Sequence, residues 1–95
     1  MAERYNEIKK LHKFCERKGV DCSLERMLDG YAIRFKNGAD VVQHYGSYGA
    51  LLGMVEFGST GYEDVDFRAM SLEDAKKFIS KNVDWLNRDK GVPND

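Results

Sequence analysis

The chain has 95 residues, of which 42% are hydrophobic and 33% charged, and its formal net charge is −1. This length fits one domain with a single core, and the hydrophobic share is too high for a disordered chain. The near-neutral balance lacks the basic excess of a dedicated nucleic-acid binder. We expect one domain over residues 1–87 and a flexible tail over residues 88–95, where apolar periodicity stops.

The expected compartment follows from hydropathy and cysteine content. No apolar run approaches the roughly 18 residues that a membrane-spanning helix needs. The first twenty residues are charged throughout and do not resemble a signal peptide. Two cysteines without an export signal predict reduced thiols. The expected location is therefore the cytoplasm, with no membrane partner.

An amphipathic helix is predicted at the start of the chain, over residues 2–18. Its apolar side chains recur with helical spacing: Tyr5, Ile8, Leu11 and Cys15. Gly19 is a natural stop, because glycine adopts the left-handed conformation that commonly ends helices. The exposed face of this helix carries four basic residues: Lys9, Lys10, Lys13 and Arg17.

Three strands are predicted next, over residues 20–28, 31–35 and 39–45. They are separated by Asp29-Gly30 and Asn37-Gly38, dipeptides typical of two-residue type I′ hairpins. Loops of that length fix the register. One face of the sheet is then expected to collect Cys22, Leu24, Leu28, Tyr31, Ile33, Phe35, Val42 and His44.

The same register makes specific pairs. Leu24 is expected opposite Phe35, and Ile33 opposite Val42. Glu25 falls opposite Arg34 on the second face, as a cross-strand charge pair. Arg26 falls on the apolar face, which is unfavourable unless its side chain reaches the sheet edge.

The glycine-spaced stretch 46–59 allows two interpretations. Residues 50–57 (ALLGMVEF) form either a fourth strand with a bulge at Gly53 or a short helix, and the flanking glycines favour the strand. A polar loop follows. Between Glu56 and Asp74 there are six acids against one base, which is the most distinctive charge feature of the chain.

A second helix is predicted after Ser71, which has the character of an N-cap followed by acids in the first turn. Its apolar stripe consists of Leu72, Ala75, Ile79, Val83 and Leu86. Two helices on one face of a three- to four-stranded antiparallel meander define an α+β fold with the order α-β-β-β-(β)-α.

The sequence contains side chains that can bind a metal, but not at the spacing of a known metal site. The best set of ligand types is His12, Cys15, Cys22 and His44, but its spacing matches no compact zinc template, and core packing explains both cysteines. A disulfide between the two cysteines is geometrically conceivable but disfavoured in a reducing compartment. The acidic loop 63–66 lacks the spacing of a calcium loop. We predict no metal and no cofactor.

Catalytic motifs are equally sparse. Ser47, Ser59 and Cys22 could serve as nucleophiles, but no G-x-S-x-G motif occurs. The stretch GSYGALLG matches neither phosphate-binding glycine motif. The prediction is a protein that is not an enzyme. The alternative is a small metal-dependent or hydrolytic enzyme that uses His12, His44 or the acidic loop.

Binding is the function class that the sequence favours. The predicted partner is a protein with a basic surface, engaging Glu56, Glu63, Asp64 and Asp66, because segregated charge steers association. The second hypothesis is weak nucleic-acid binding through Lys9, Lys10, Lys13 and Arg17, whose four charges support only low, salt-sensitive affinity. Self-association through a sheet face or an edge strand is the third.

Three motifs within residues 27–80 carry a family resemblance: DGYAIRFKNGADVV, HYGSYG and FRAMSLEDA. They resemble small uncharacterised proteins of phages and prophages in Gram-positive bacteria. The resemblance implies no catalytic residues, and it implies an accessory role in binding a host or phage protein. Some small phage proteins block host nucleases or polymerases by acidic mimicry of nucleic acid, and the acidity between Glu56 and Asp74 fits that expectation.

Overall fold

A computed structural model describes residues 4–90, which form an antiparallel sheet covered on one face by helices. The helices are α1 (Asn6–Arg17), α2 (Leu72–Lys81) and α3 (Val83–Leu86). The strands are β1 (Cys22–Met27), β2 (Gly30–Phe35), β3 (Asp40–Gln43), β4 (Val55–Gly58) and β5 (Ala69–Met70). They pair in chain order, β1-β2-β3-β4-β5. The predicted α+β class is confirmed.

Helix α1 is amphipathic, as its sequence indicates. Its apolar stripe is buried against the sheet. The helix ends at Arg17, and Gly19 after its C-cap has a φ of 78°, in the left-handed region. The Gly19 N–H donates to the Glu16 carbonyl at 3.1 Å and the Val20 N–H donates to the Cys15 carbonyl at 2.9 Å. These two bonds form a Schellman motif and confirm the predicted stop. Of the predicted N-terminal extension, residues 2 and 3 lie outside the described part of the chain.

The first hairpin closes one residue earlier than predicted. Met27 pairs with Gly30, so the loop is Leu28-Asp29, and Leu24 lies opposite Ile33 rather than Phe35. Gly30 is the first residue of β2, and only glycine fits there because a Cβ would lie 1.9 Å from the carbonyl oxygen of Gln43. The register shift is two residues, so the apolar face is preserved. Leu28 is an exception, since it lies in the turn and is exposed.

The register shift also changes the expected surroundings of two charged residues in this hairpin, Glu25 and Arg26. Glu25 lies opposite Ala32, yet it still binds Arg34 diagonally, with Nε and Oε2 2.5 Å apart. Arg26 avoids the core by stacking on Tyr31, with its guanidinium carbon 5.1 Å from the ring centroid. Its Nη1 donates to the Tyr31 hydroxyl at 3.1 Å.

The second hairpin has a three-residue loop, which changes the face that β3 presents. The Phe35 N–H donates to the Ala39 carbonyl at 2.9 Å, and Gly38 has a φ of 95°. Ile33 therefore lies opposite Val41, not Val42. A one-residue shift exchanges the two faces of a strand. Val41 and Gln43 are buried on the inner face, and the predicted positions of Val42 and His44 on that face are wrong.

The glycine-spaced stretch contains both predicted elements in turn. Ala50–Leu52 is a single 3-10 turn, and β4 begins at Val55. Gly53 separates the two with a φ of 76°, so it is a junction and not a bulge. Strand β5 pairs Ala69 with Glu56 and has no counterpart in the sequence prediction.

The C-terminal region begins as predicted, with the Ser71 hydroxyl accepting the Asp74 N–H at 3.2 Å. The predicted helix breaks at Asn82 and resumes as α3. Phe78 of α2 meets Phe57 of β4 edge to face, with centroids 4.9 Å apart, which packs the helix on the inner sheet face. In the predicted tail, Asp89 pairs with the Lys36 ammonium at 3.5 Å, and residues 91–95 lie outside the described chain.

Candidate protein-docking surface

The connection between β3 and β4, residues 44–54, is anchored by a buried glutamine. The Gln43 side chain is fully buried and has three hydrogen-bond partners. Its Oε1 accepts the Ile8 N–H at 3.0 Å, and its Nε2 donates to Glu7 Oε1 at 3.0 Å and to the Ala50 carbonyl at 3.2 Å. A buried amide satisfied in this way fixes the connection to the first turn of α1.

The first half of the connection is a turn closed by its own polar side chains. The Ser47 hydroxyl accepts the His44 N–H at 3.1 Å and donates to the His44 carbonyl at 2.9 Å. His44 Nδ1 accepts the Gly46 N–H at 3.0 Å. The serine thus binds the histidine backbone and not its ring. This geometry builds a turn rather than a nucleophile with its base.

Two carboxylates hold the rest of the connection from outside. Asp29 Oδ1 accepts the Tyr45 N–H and Glu56 Oε1 accepts the Tyr48 N–H, both at 2.8 Å. Asp29 Oδ2 also accepts the Tyr5 hydroxyl at 2.7 Å. That hydrogen bond lowers the pKa of Asp29, with smaller help from the Tyr45 N–H. Both carboxylates therefore act as anchors of this end of the molecule.

Large apolar side chains project from the anchored connection into solvent. They are exposed by 60–79%, and we call them the apolar end: Leu28, Tyr45, Tyr48, Leu51 and Leu52. Leu28 belongs with the others because its neighbour Asp29 binds the Tyr45 backbone. Single exposed apolar residues are ordinary, but contiguous ones mark interaction sites. Sequence patterning missed this surface because it treats adjacent leucines as core.

A cleft of about 470 Å³ lies at the foot of the apolar end, between the start of α1 and the 3-10 turn. Its walls combine apolar and charged groups: Arg4, Tyr5, Asn6, Glu7, Ala50, Leu51 and Gly53. The apolar end is therefore bordered by three carboxylates, those of Glu7, Asp29 and Glu56, and by one guanidinium, that of Arg4. Its border is acidic on balance.

The four acids predicted to bind a partner have different surroundings. Asp66 is a structural residue of its loop, accepting the N–H groups of Thr60 and Gly61 at 3.0 Å and also the Thr60 hydroxyl. Glu56 is committed to the Tyr48 N–H. Glu63 and Asp64 are exposed. The predicted set thus contains two anchors and two exposed carboxylates.

An acidic region continues from Glu56 across the outer face of the sheet. Burial raises the pKa of Asp40, the nearby Asp66 and Glu56 carboxylates raise it further, and Arg34 opposes them. The Arg34 guanidinium is 3.9 Å from Asp40 Oδ2, too far for a strong pair. Asp40, Asp66 and Glu56 are thus neighbouring carboxylates, and Glu56 connects this group to the apolar end.

The basic residues predicted as a nucleic-acid surface divide into two groups. Lys10, Lys13 and Arg17 are exposed at helical spacing and share one face of α1. Lys9 is half-buried, with its ammonium 4.9 Å from the centroid of the Tyr31 ring. Three of the four predicted charges thus form a stripe, and the fourth lies against the sheet.

The four candidate metal ligands do not converge on one site. His12 Nδ1 lies 3.6 Å from Glu16 Oε1, and His44 is in the connection at the other end of α1. Among residues 4–90 no group of three or more histidine, cysteine or acidic side chains is placed to hold a metal ion. In the same residues no helix has the length and apolarity to cross a membrane.

Comparison with protein-family models, curated proteins and solved structures finds no match to this chain. The chemistry of its own surfaces is therefore what indicates a function.

Proposed function

We propose that this protein is a small non-catalytic interaction module that binds another protein through the apolar end. One observation carries the proposal: four large apolar side chains of the connection, together with Leu28 of the neighbouring β1–β2 loop, are exposed by 60–79%. The backbone of that connection is fixed by Gln43, Asp29 and Glu56. Solvent exposure of this kind is unfavourable unless another surface covers it. A fixed backbone also reduces the ordering cost of binding.

The chemistry around the apolar end indicates the kind of partner. Glu7, Asp29 and Glu56 border it against Arg4, and the outer sheet face adds Asp40. A partner with apolar anchors surrounded by lysine or arginine would complement both features. Charge of this kind accelerates association and selects among partners, while the desolvated aromatic and leucine side chains supply most of the affinity.

The resemblance to small phage and prophage proteins supports the same class of function. Such an accessory protein acts by occupying a host or phage protein and needs no reaction chemistry. The acidic face beside the apolar end suits a target that itself handles nucleic acid, because such targets carry basic surfaces.

Affinity capture from lysate of the native host tests the proposal. We compare the wild type with the double variant Leu51→Ser, Leu52→Ser, which removes two apolar anchors while keeping the 3-10 turn. The matched control is Phe67→Asn: Phe67 is also 63% exposed but lies outside the apolar end, and asparagine tolerates its φ of 62°. We expect the wild type and the control to capture a stoichiometric partner. The double variant should bind that partner with at least tenfold lower affinity, equivalent to about 1.4 kcal/mol.

The acidic face beside the apolar end is tested separately with Asp40→Asn. The exposed pair of the acids predicted from the sequence is tested with Glu63→Ser, Asp64→Ser, leaving Asp66 in place because its hydrogen bonds hold the loop. Capture is repeated at low and at moderate salt. Binding that survives both the leucine and the acid changes would contradict the proposal. If light scattering shows instead that the leucine variant converts a dimer to a monomer, the occupant of the apolar end is a second copy of the chain.

A further inference from the structure

Two thiols meet at the end of the molecule opposite the apolar end. Cys15 is in the last turn of α1 and Cys22 is the first residue of β1. The Schellman turn at Gly19 and Val20 reverses the chain between them, so both side chains belong to one core cluster. The two side chains are near enough for each thiol to shift the pKa of the other. Both cysteines are free.

The two thiols differ in access and in acidity. Cys15 is fully buried, whereas Cys22 is half-buried and lines an open depression of about 320 Å³ with Ser23 and Phe35. The interaction with Cys15 lowers the pKa of Cys22, although burial and the carboxylates of Glu16 and Asp21 oppose that effect. The same interaction and burial raise the pKa of Cys15. Cys22 is therefore the thiol that a small disulfide can reach, and the direction of its pKa shift agrees with that role.

We propose that Cys15 and Cys22 form a dithiol site that reacts with low-molecular-weight disulfides, with Cys22 as the attacking thiol and Cys15 as the resolving thiol. This inference is independent of the proposed docking function, since it involves different residues at a different end of the molecule.

The exchange has two balanced steps. The Cys22 thiolate attacks one sulfur of the small disulfide, forming a mixed disulfide and releasing one small thiolate, which takes up the proton lost by Cys22. The Cys15 sulfur then attacks the Cys22 sulfur, forming the protein disulfide and releasing the second small thiol, which takes the proton of Cys15. The protein dithiol is oxidised by two electrons and the small disulfide is reduced by two. The tight turn at Gly19 and Val20 favours the second step, because it holds both cysteines in one core cluster.

Oxidised glutathione is the probe. The reduced full-length protein is incubated with it at pH 8, quenched with acid and weighed intact by mass spectrometry. We expect the wild type to lose two hydrogen atoms, to retain no free thiol and to recover both thiols with dithiothreitol. Cys15→Ser should stop at the mixed disulfide and gain one glutathione. Cys22→Ser should react at least about tenfold more slowly than Cys15→Ser, because its remaining thiol is buried.

Melting curves of both variants establish that they are folded before the rates are compared, and Cys15→Ala replaces Cys15→Ser if the buried hydroxyl unfolds the chain. The proposal is overturned if the wild type ends with glutathione attached, if it forms disulfide-linked dimers, or if it stays reduced. Equal rates for the two single variants would overturn the assignment of Cys22 as the attacking thiol.

Discussion

Asp29 is the residue on which three distant parts of the chain meet. It lies in the loop between β1 and β2, its Oδ2 accepts the hydroxyl of Tyr5 before α1, and its Oδ1 accepts the N–H of Tyr45 in the connection that bears the apolar end. The hydrogen bond between Tyr5 and Asp29 raises the pKa of the phenol and lowers that of the carboxyl. The ionised form of Asp29 is thus the one that the fold stabilises.

The stability of the protein should depend on pH through this carboxyl. Its pKa in the folded state is below the ordinary value of 3.8, so its contribution is fully present above 3.8 and is lost as the pH falls through the folded pKa. Asp29→Asn should lower the urea midpoint at pH 7, and the gap to the wild type should narrow below pH 3.8. Urea unfolding followed by circular dichroism at both pH values measures this.

Asp64→Asn is the matched control, because Asp64 is exposed in its loop and should leave the midpoint unchanged. If Asp29→Asn lowers the urea midpoint by the same amount at both pH values, the carboxylate charge is not what stabilises the contact.

Among the secondary-structure elements, β3 depends on one buried polar residue to join its neighbours. Replacing Gln43 by leucine preserves volume but leaves the Ile8 N–H and the Ala50 carbonyl without their side-chain partner in a dry site. Each orphaned group costs about 1–3 kcal/mol, so Gln43→Leu should lower the free energy of unfolding by about 2–6 kcal/mol in a urea titration.

The neighbouring variant Val42→Ala is the comparison for that titration, since Val42 is half-buried on the other face of β3. It should cost about 1 kcal/mol or less, as expected for partial loss of apolar burial. If Gln43→Leu costs no more than Val42→Ala, the glutamine does not hold α1 and the 3-10 turn to the sheet.

The two hairpins show how far local sequence determines these elements. Asp29-Gly30 and Asn37-Gly38 place both turns within a residue of their observed positions, because turn chemistry is local. Which residues form the loop depends on contacts distant in sequence. Position 30 must be glycine because the carbonyl of Gln43, 13 residues later, leaves no room for a Cβ. In β3 the pair Val41-Val42 is apolar on both faces, so its alternation could not distinguish the two registers.

At the scale of the whole molecule, the candidate docking surface could not be read from the sequence pattern. Leu51 and Leu52 are adjacent, and in the strand that we predicted one of them would face the core. In the structure both project from a 3-10 turn beyond the end of the sheet, and both are exposed. An apolar residue is buried or exposed according to where its helix or strand ends. Here the position of the 3-10 turn is fixed by hydrogen bonds to Gln43 and Glu56.

Asn87, which follows α3, joins the C-terminal region to the turn after α1. Its Oδ1 accepts the Asp21 N–H at 2.7 Å and its Nδ2 donates to the Gly19 carbonyl at 2.9 Å, while the preceding Leu86 is buried in the core. Asn87→Ala removes two hydrogen bonds between residues 66 and 68 positions apart, so we expect it to lower the free energy of unfolding by about 1–3 kcal/mol.

Asn82→Ala is the matched variant for that measurement, because the Asn82 amide makes a local bond, donating to the Phe78 carbonyl at 2.8 Å. It should cost less than Asn87→Ala in the same urea titration. Hydrogen exchange adds a local measure, since the Asp21 amide should lose protection in Asn87→Ala and keep it in Asn82→Ala. Equal losses of stability, with the Asp21 amide still protected, would mean that burial of Leu86 alone joins the C-terminal segment to the turn after α1, where the two cysteines meet.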